Sequence, residues 1–525
     1  MTISQLPTPE IKRIAEIIAN EIEQGKIKNK EDLLKFKKFL ARQYSLKRIP
    51  SDAEILSHIE GEKKEKVISI LQRKPVRTIS GVAIIAVMTS PYPCPHGRCI
   101  PCPGGPPYTP QSYTGKEPAA LRAARNEFNP YLQVKDRLKQ LEIIGHPTDK
   151  IDMIIMGGTF PARDVIYQKW FVKRCYDALN GIDAVNLEEA KRLNENAAHR
   201  CIGLTIETRP DWCRMWHIDI MLELGATRVE IGAQILDDKV LEEMGRGHTV
   251  FDTILATQLA KDAGLKICYH IMPGLPGSSY ENDLQSFQRM FRDERFRPDM
   301  LKIYPTLVVK PSILYEKWKA GEYKPLEEEE AIHLIAEMKK YVPEWVRIQR
   351  VERDIPSYMI EEGIKKSNLR QIIHKRMKEL GMECRCIRCR EIGHKKVDIK
   401  DDFELRRREY IASSGREIFL SIENEDVIVA YCRLRIPFRP HRYEMENAAV
   451  VRELKVHGAM VEIGRRDSKK WQHRGYGKIL MEEAEKLAMK FGKEKILVLS
   501  GVGAKEYYRK IGYGEEGVYM VKYLS

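Results

Sequence analysis

Between residues 82 and 306 the chain repeats one pattern six times: a short apolar run, then a longer stretch with helical periodicity. The runs are VAIIAVM (82–88), IDMIIMGG (151–158), CIGLTIE (201–207), TRVEIGA (227–233), LKICYHIM (265–272) and MLKIYPT (300–306). Most are continuous rather than alternating, as strands covered on both faces should be. Strand, helix, strand in succession predicts an α/β fold of parallel units, either an open sheet or a partial barrel. In such folds the chemistry sits on loops that follow the C-terminal ends of the strands.

The flanks read differently. Thr8-Pro9-Glu10 has the order of an N-cap, a first-turn proline and a first-turn acid. Ile11, Ile14, Ile18 and Ile22 follow at helical spacing. From Lys26 to Arg48 nine Lys/Arg residues stand against Glu31 and Asp32, with Phe36, Phe39 and Tyr44 interleaved. That stretch is either a solvated helix face or a nucleic-acid-binding arm. Residues 366–400 read as a short basic helix and a cysteine cluster. Beyond 401, EIFLSIENEDVIVAYCRL (417–434) has the alternation and turn residues of a hairpin. AAVVRELKVHG and AMVEIG read as further strands, and QHRGYGKILMEEAEKLAMKFG as a loop feeding an amphipathic helix. The expected organisation is therefore a basic helical segment at 1–75, a barrel at 76–365, a linker at 366–400 and a mixed α/β domain at 401–525.

Bulk properties narrow the class. With 525 residues, the chain exceeds what one core usually organises. The formal net charge of +14 suits a polyanionic partner as well as plain solubility. No apolar run of about 18 residues suggests a membrane span. MTISQLPTPE does not read as a secretion leader, so a cytoplasmic location is expected. Eleven cysteines are an odd count for a disulfide framework, and six of them lie in two tight clusters. That pattern points to metal.

The first cluster places Cys94, Cys99 and Cys102 as C-x4-C-x2-C directly after the first strand. Three thiolates on a Pro/Gly loop can hold three irons of a [4Fe–4S] cluster and leave the fourth open. Zinc, with His96 as a fourth ligand, is the alternative. This region resembles the radical S-adenosylmethionine (SAM) enzymes, although their usual spacing has one residue fewer between the first two cysteines. The resemblance implies a partial (β/α)6 barrel that holds a [4Fe–4S] cluster and SAM. It extends to Gly157-Gly158-Thr159 after the second strand, Glu207 and Arg209 after the third, and the HIMPGLPG segment (270–277) after the fifth. These are expected to contact SAM.

Gln472, Gly475, Tyr476, Gly477 and Lys478 stand in QHRGYGK before a helix. Small residues there let backbone N–H groups cradle a pyrophosphate at a helix N-terminus. The segment is similar to the acetyl-CoA loop of the GNAT acetyltransferases, a mixed α/β fold. Tyr507 or Tyr508 would be the late tyrosine that protonates the CoA sulfur; the alternative is an aromatic packing pair.

The pairing of these two domains, with KPVRTISG (74–81), CPGGP (102–106), QSYTGKEP (111–118), RELKVHG (452–458) and YYRKIGY (507–513), resembles the Elp3 family, the catalytic subunit of Elongator. The resemblance covers essentially the whole chain. It implies an acyltransferase that builds 5-carboxymethyluridine at U34, in the anticodon stem-loop of tRNA. The carbon would come from acetyl-CoA and a SAM-derived radical, and thioester hydrolysis would follow. It implies acetyl-CoA contacts at Lys150, at Glu453, Leu454, Lys455 and Val456, at Tyr476 to Lys478, and at Tyr508. Whether further Elongator subunits attend the chain is left open. A protein lysine acetyltransferase and a non-catalytic tRNA-binding scaffold remain the rival functions.

Cys384, Cys386 and Cys389 form the second cluster as C-x-C-x2-C. Structural zinc needs a fourth ligand, and His374 and His394 are the nearest candidates, His374 first. A redox group or inert thiols are the alternatives. Arg385, Arg388 and Arg390 around it could touch tRNA phosphate.

Overall fold

The computed structural model describes residues 8–46, 48–72, 81–394, 403–457 and 475–524. Helices Thr8–Glu23, Lys30–Gln43, Asp52–Leu56 and Gly61–Leu71 form the N-terminal part. Ile11, Ile14, Ile18 and Ile22 are all buried, as their spacing predicts, and the last three pack with Leu33, Leu40 and Val67. Asn29 accepts hydrogen bonds from the Glu31 and Asp32 backbone, and Ser51 with Glu54 forms a reciprocal capping box. Residues 1–83 group with 135–150 in one compact unit, so a later segment joins the predicted N-terminal part. The basic stretch is not a free arm. Lys37 is buried against Asp52 at 2.7 Å, Lys30 meets the same carboxylate at 2.6 Å, and Lys35 pairs with Glu31 at 2.9 Å. Lys28, Lys38 and Arg42 make no ion pair among the described residues; Lys47 lies outside them. Phe36 packs on the core while Phe39 is exposed.

The second unit comprises residues 84–134 and 151–525. Its first sheet takes the strands Ala83–Met88, Lys150–Met156, Arg200–Thr208, Arg228–Gln234, Lys266–Ile271, Met300–Ile303 and Arg347–Arg350 in chain order. Six were expected. The seventh, RIQR, pairs in parallel with Met300–Ile303; with one apolar residue in four it lacks the hydrophobic run that marks the others. Helices such as Val165–Asn180, Val250–Asp262 and Glu328–Lys340 connect the strands, giving the curled half-barrel of the predicted class.

The second sheet contains the predicted hairpin, Gly415–Asn424 with Val427–Ile436. An unpredicted strand, Glu404–Ala412, pairs antiparallel on its outer edge. Ala448–Val456 follows on the other side, then Lys495–Val498 in parallel. The parallel pairing stops at Val451 with Val498, so among the described residues 453–456 have a strand partner on one side only. The helix Tyr476–Lys490 covers the sheet through Leu480, Met481, Ala484 and Leu487. AMVEIG lies outside the described residues.

Where the two sheets' domains meet, charge is buried. Asp299, just before the sixth barrel strand, accepts hydrogen bonds from Arg452 at 2.7 and 2.6 Å and lies 3.4 Å from Lys261. Glu417 receives Arg452 at 2.7 Å and Arg435 at 2.8 Å. Asp262 receives Arg435 at 2.6 Å together with the backbone N–H groups of Phe438 and Arg439. All six side chains are at most 1% exposed. Burial alone would raise Asp299, but Arg452 and Lys261 hold it well below its ordinary range. Removing one partner from such a network strands the others. Arg452→Ala is expected to cost about 3–5 kcal/mol, read as a lower midpoint in chemical denaturation; an unchanged midpoint would mean the network does not brace the junction.

Candidate active sites and metal centres

The loop after the first barrel strand carries three buried thiols. Each has a polar neighbour: Cys94 lies 3.6 Å from the Thr159 hydroxyl, Cys99 is 3.0 Å from His96 Nε2, and Cys102 accepts from Gln111 at 3.3 Å. Arg246 reaches Cys99 at 3.6 Å and donates to the Gly232 carbonyl at 3.0 Å. The thiols do not converge within 4.8 Å as a single ion would need. Three spread thiols with N–H donors around them suit a sulfide cluster better than one zinc ion. His96 is pushed down to about 3 by burial, with Arg209 and Arg246 adding to the effect.

Gly157 and Gly158 follow the second strand with φ of +130° and +87°. A Cβ on Gly157 would fall 2.1 Å from the Thr89 hydroxyl, and one on Gly158 3.1 Å from Gln111 and 3.6 Å from the Cys94 sulfur. Only glycine lets the backbone approach the cysteine loop so closely. Glu207 accepts from the Tyr113 hydroxyl at 2.8 Å and lies 3.7 Å from Lys302. Arg209 is buried and donates twice to Asp211 at 2.9 Å. Lys150 opens the second strand, at the end opposite the Gly-Gly turn, and is half-buried.

On the second sheet, Glu453, Leu454, Lys455 and Val456 lie on the stretch that has lost one strand neighbour. Glu453 accepts from Tyr431 and Arg433, both at 2.9 Å. Burial alone would raise it, but Arg433, Lys266 and Lys455 hold it down at about 2. Gly475 caps the helix Tyr476–Lys490 with φ +79°, and a Cβ on Gly477 would lie 2.7 Å from the Tyr507 hydroxyl. Gln472 lies outside the described residues. The two tyrosines part: Tyr507 is exposed beside the helix start, whereas Tyr508 is buried in the core against Tyr513. Their rings meet edge to face at 5.1 Å, as an aromatic packing pair does.

In the linker, the Cys384, Cys386 and Cys389 sulfurs lie within 4.8 Å of one another, and His374 Nε2 is 3.7 Å from Cys389. His374 reaches them from the helix Leu369–Glu379. Burial, then Lys339 and Arg370, push it down to about 4, which keeps the imidazole neutral and able to ligate. Three thiols and one imidazole at this spacing fit tetrahedral zinc. The neighbouring arginines are less available than the sequence suggests. Arg390 is fully buried on Glu423 and Asp426, and Arg385 meets Glu344 at 2.6 Å.

Comparison with known sequences decides the family. The Radical SAM superfamily matches residues 91–289, its C-terminal domain 298–379, the ELP3 N-terminal domain 11–79 and the Acetyltransferase (GNAT) family 387–513. The tRNA uridine(34) acetyltransferase of Methanocaldococcus jannaschii is 53% identical over 98% of this chain and 97% of its own length. Elongator complex protein 3 of Dictyostelium discoideum is 43% identical, covering 99% and 96%. The chain belongs to the Elp3 family. The solved Elp3 of Methanocaldococcus infernus, with an N-terminal deletion (1–46), covers 85% of this chain and all of its own at 50% identity and a TM-score of 0.76. As an Elp3-family member the chain is a radical SAM acyltransferase, and none of its described helices is long and apolar enough to cross a membrane.

Several site residues of this Elp3-family chain escaped sequence reading. Gln111 and Tyr113 belong to the quoted QSYTGKEP segment, but nothing in it assigns them to the cysteine loop and Glu207. Arg246 had only its place in GRGH as a signal. Cys389→Ser is expected to lose about one equivalent of zinc by metal analysis; full retention would refute the ligand set. Glu453→Gln tests the electrostatics. A carboxylate lowered from 4.5 to about 2 contributes stability that is complete above pH 4.5 and lost as the pH falls through 2. The gap in denaturation midpoint between wild type and variant should therefore narrow across that window.

Proposed function

We propose that this chain makes 5-carboxymethyluridine at U34 of tRNA from acetyl-CoA. The supporting observation is that one unit, with Arg452 paired to Asp299 at its junction, carries both a cysteine-loop half-barrel and a split acetyltransferase sheet, and that the M. jannaschii relative is named tRNA uridine(34) acetyltransferase. A [4Fe–4S] cluster on Cys94, Cys99 and Cys102, with SAM on its open iron, would supply a 5′-deoxyadenosyl radical. Uridine C5 is a poor nucleophile, so a carbon radical suits the bond better than polar acyl transfer.

The chain's own residues bind and orient the reactants. Gly157, Gly158 and Thr159 admit SAM beside the cysteines, and Glu207 and Arg209 meet its polar groups. The half-free strand Glu453–Val456 takes the pantetheine amides, and Gln472 and Gly475 to Lys478 take the pyrophosphate with the dipole of the following helix. Lys150 contributes from the radical SAM side. Tyr507 donates a proton to the CoA sulfur, a role its exposure beside the start of the helix supports, and buried Tyr508 packs edge-on against it. Zinc on Cys384, Cys386, Cys389 and His374 clamps the linker 366–400 between the barrel of 76–365 and the acetyltransferase domain of 401–525. The segment 1–75 binds the tRNA backbone.

The test is nucleoside mass spectrometry after anaerobic incubation of reconstituted enzyme, reductant, SAM, acetyl-CoA and unmodified tRNA. A 5-carboxymethyluridine peak that needs both SAM and acetyl-CoA is expected; its absence with an intact cluster and bound tRNA would refute the reading and favour protein acetylation. A second check concerns the N-terminal cations. Substituting Lys28, Lys38 and Arg42 by Glu should weaken tRNA binding and flatten the salt slope by about 0.7–0.9 per lost phosphate contact. Unchanged affinity and slope would remove the segment from the interface.

A further inference from the structure

The barrel interior holds a group of charged side chains that links Glu207, one of the SAM contacts assigned above, to His270, the first residue of the HIMPGLPG segment. Glu230 is completely buried on the fourth strand. Its Oε2 atom receives both His270 Nε2 at 2.8 Å, from the fifth strand, and the Lys302 ammonium, from the sixth. Lys302 also faces Glu207, whose other neighbour, Tyr113, stands two residues from the Gln111 that donates to Cys102. A line of contacts therefore runs from the cysteine loop to His270. The strand register agrees: Glu207 stands beside Glu230, and His270 beside Lys302. His270, Glu207 and Lys302 each occupy the penultimate position of their strands, at the C-terminal rim.

The sulfur, carboxylate and imidazole of Cys268, Glu230 and His270 converge within 4.8 Å, which raises a metal site as one reading. Lys302 argues against it, since its ammonium already neutralises that carboxylate and would repel a cation beside it. The same contact fixes the imidazole. Burial alone would raise Glu230, but Lys302 and His270 hold it well below the usual carboxylate range, so it stays ionised and can only accept. Nε2 must then donate, and in the neutral ring Nδ1 is the nitrogen that carries the lone pair. The ring stands edge-on to Tyr304 at 5.4 Å, and its side chain keeps 16% of its surface exposed. A carboxylate that orients one imidazole nitrogen so that the other is a base is the arrangement general-base catalysis uses.

We infer that His270, oriented by Glu230, is the base that removes the C5 proton of the target uridine after the new carbon bond has formed. The inference rests on the function proposed above. Abstraction of a hydrogen atom from the acetyl methyl gives a carbon radical, whose addition to C5 leaves the unpaired electron at C6. The C5–H bond must then break heterolytically. Its proton goes to His270 Nδ1 and its electron pair joins the C6 electron; a [4Fe–4S] cluster held by Cys94, Cys99 and Cys102, oxidised by SAM cleavage, would take the one surplus electron and so restore the C5=C6 double bond. Glu230 is a positioning residue, and Lys302 holds its charge in place.

The test measures the ratio of 5-carboxymethyluridine formed to 5′-deoxyadenosine released, anaerobically, with tRNA and acetyl-CoA. In His270→Ala the ratio is expected to fall about 100-fold, and added imidazole should restore part of it. His270→Gln keeps a donor for Glu230 but has no base; it should fold with the wild-type denaturation midpoint, show the same fall and gain nothing from imidazole. A wild-type ratio in His270→Gln, or a fall in His270→Ala that imidazole does not touch, would overturn the assignment. A wild-type enzyme that cleaves SAM and leaves U34 unmodified would instead remove the proposed function, and the inference with it.

Discussion

Arg452, inserted between Asp299 and Glu417, is the contact on which the working geometry depends. It leaves the strand Ala448–Val456 at the point where the acetyltransferase sheet splits, and it ends beneath the sixth barrel strand. Its neighbours in sequence, Glu453 to Val456, belong to the proposed acetyl-CoA site. A buried ion network of this kind adds little stability over apolar packing. What it contributes is one allowed arrangement, because any shift between the domains would leave desolvated charge unpaired. The proposed reaction, in which both domains handle one acetyl group, needs such a fixed separation.

The barrel interior follows the same logic on a smaller scale. Arg228 stands 3.2 Å from Asp152 and 3.5 Å from Glu230, so charges of both signs are stacked inside the half-barrel rather than apolar side chains. On the same face, Lys266, the register partner of Arg228, approaches the Arg452 carbonyl at 3.5 Å and lowers Glu453 electrostatically. The radical side and the acetyl side are thus joined by adjacent polar groups across the floor of the barrel. A polar lining is costly to bury, and its retention where packing alone would favour leucine or valine fits a site that must hold a polar nucleobase and move protons.

The linker shows how local sequence and distant packing divide the work. C-x-C-x2-C already brings three sulfurs together within one turn. The imidazole comes from a helix ten or more residues upstream, and only its docking shows that His374 can complete the set. Similarly, the nine cations of 26–48 look alike in sequence. Folding buries Lys37 on Asp52 and leaves others without an ion pair, a distinction that arises because Asp52 lies on a different helix.

The sequence by itself determined the strands with continuous apolar runs, the cysteine loops, the glycine turns and hence the two domain types, because each of those signals is short-range. Strands without such a run, Arg347–Arg350 and Glu404–Ala412, were invisible to it; RIQR is too short and polar, and ELRRREYIA carries its charges on an outer edge. Which tyrosine of the Tyr507-Tyr508 pair is buried was equally hidden, since adjacent residues differ only in the direction a short helix gives them. The convergence of Glu230, His270 and Lys302 was decided by tertiary structure alone. Those residues are up to 72 positions apart, and only parallel strands in a fixed register make them neighbours.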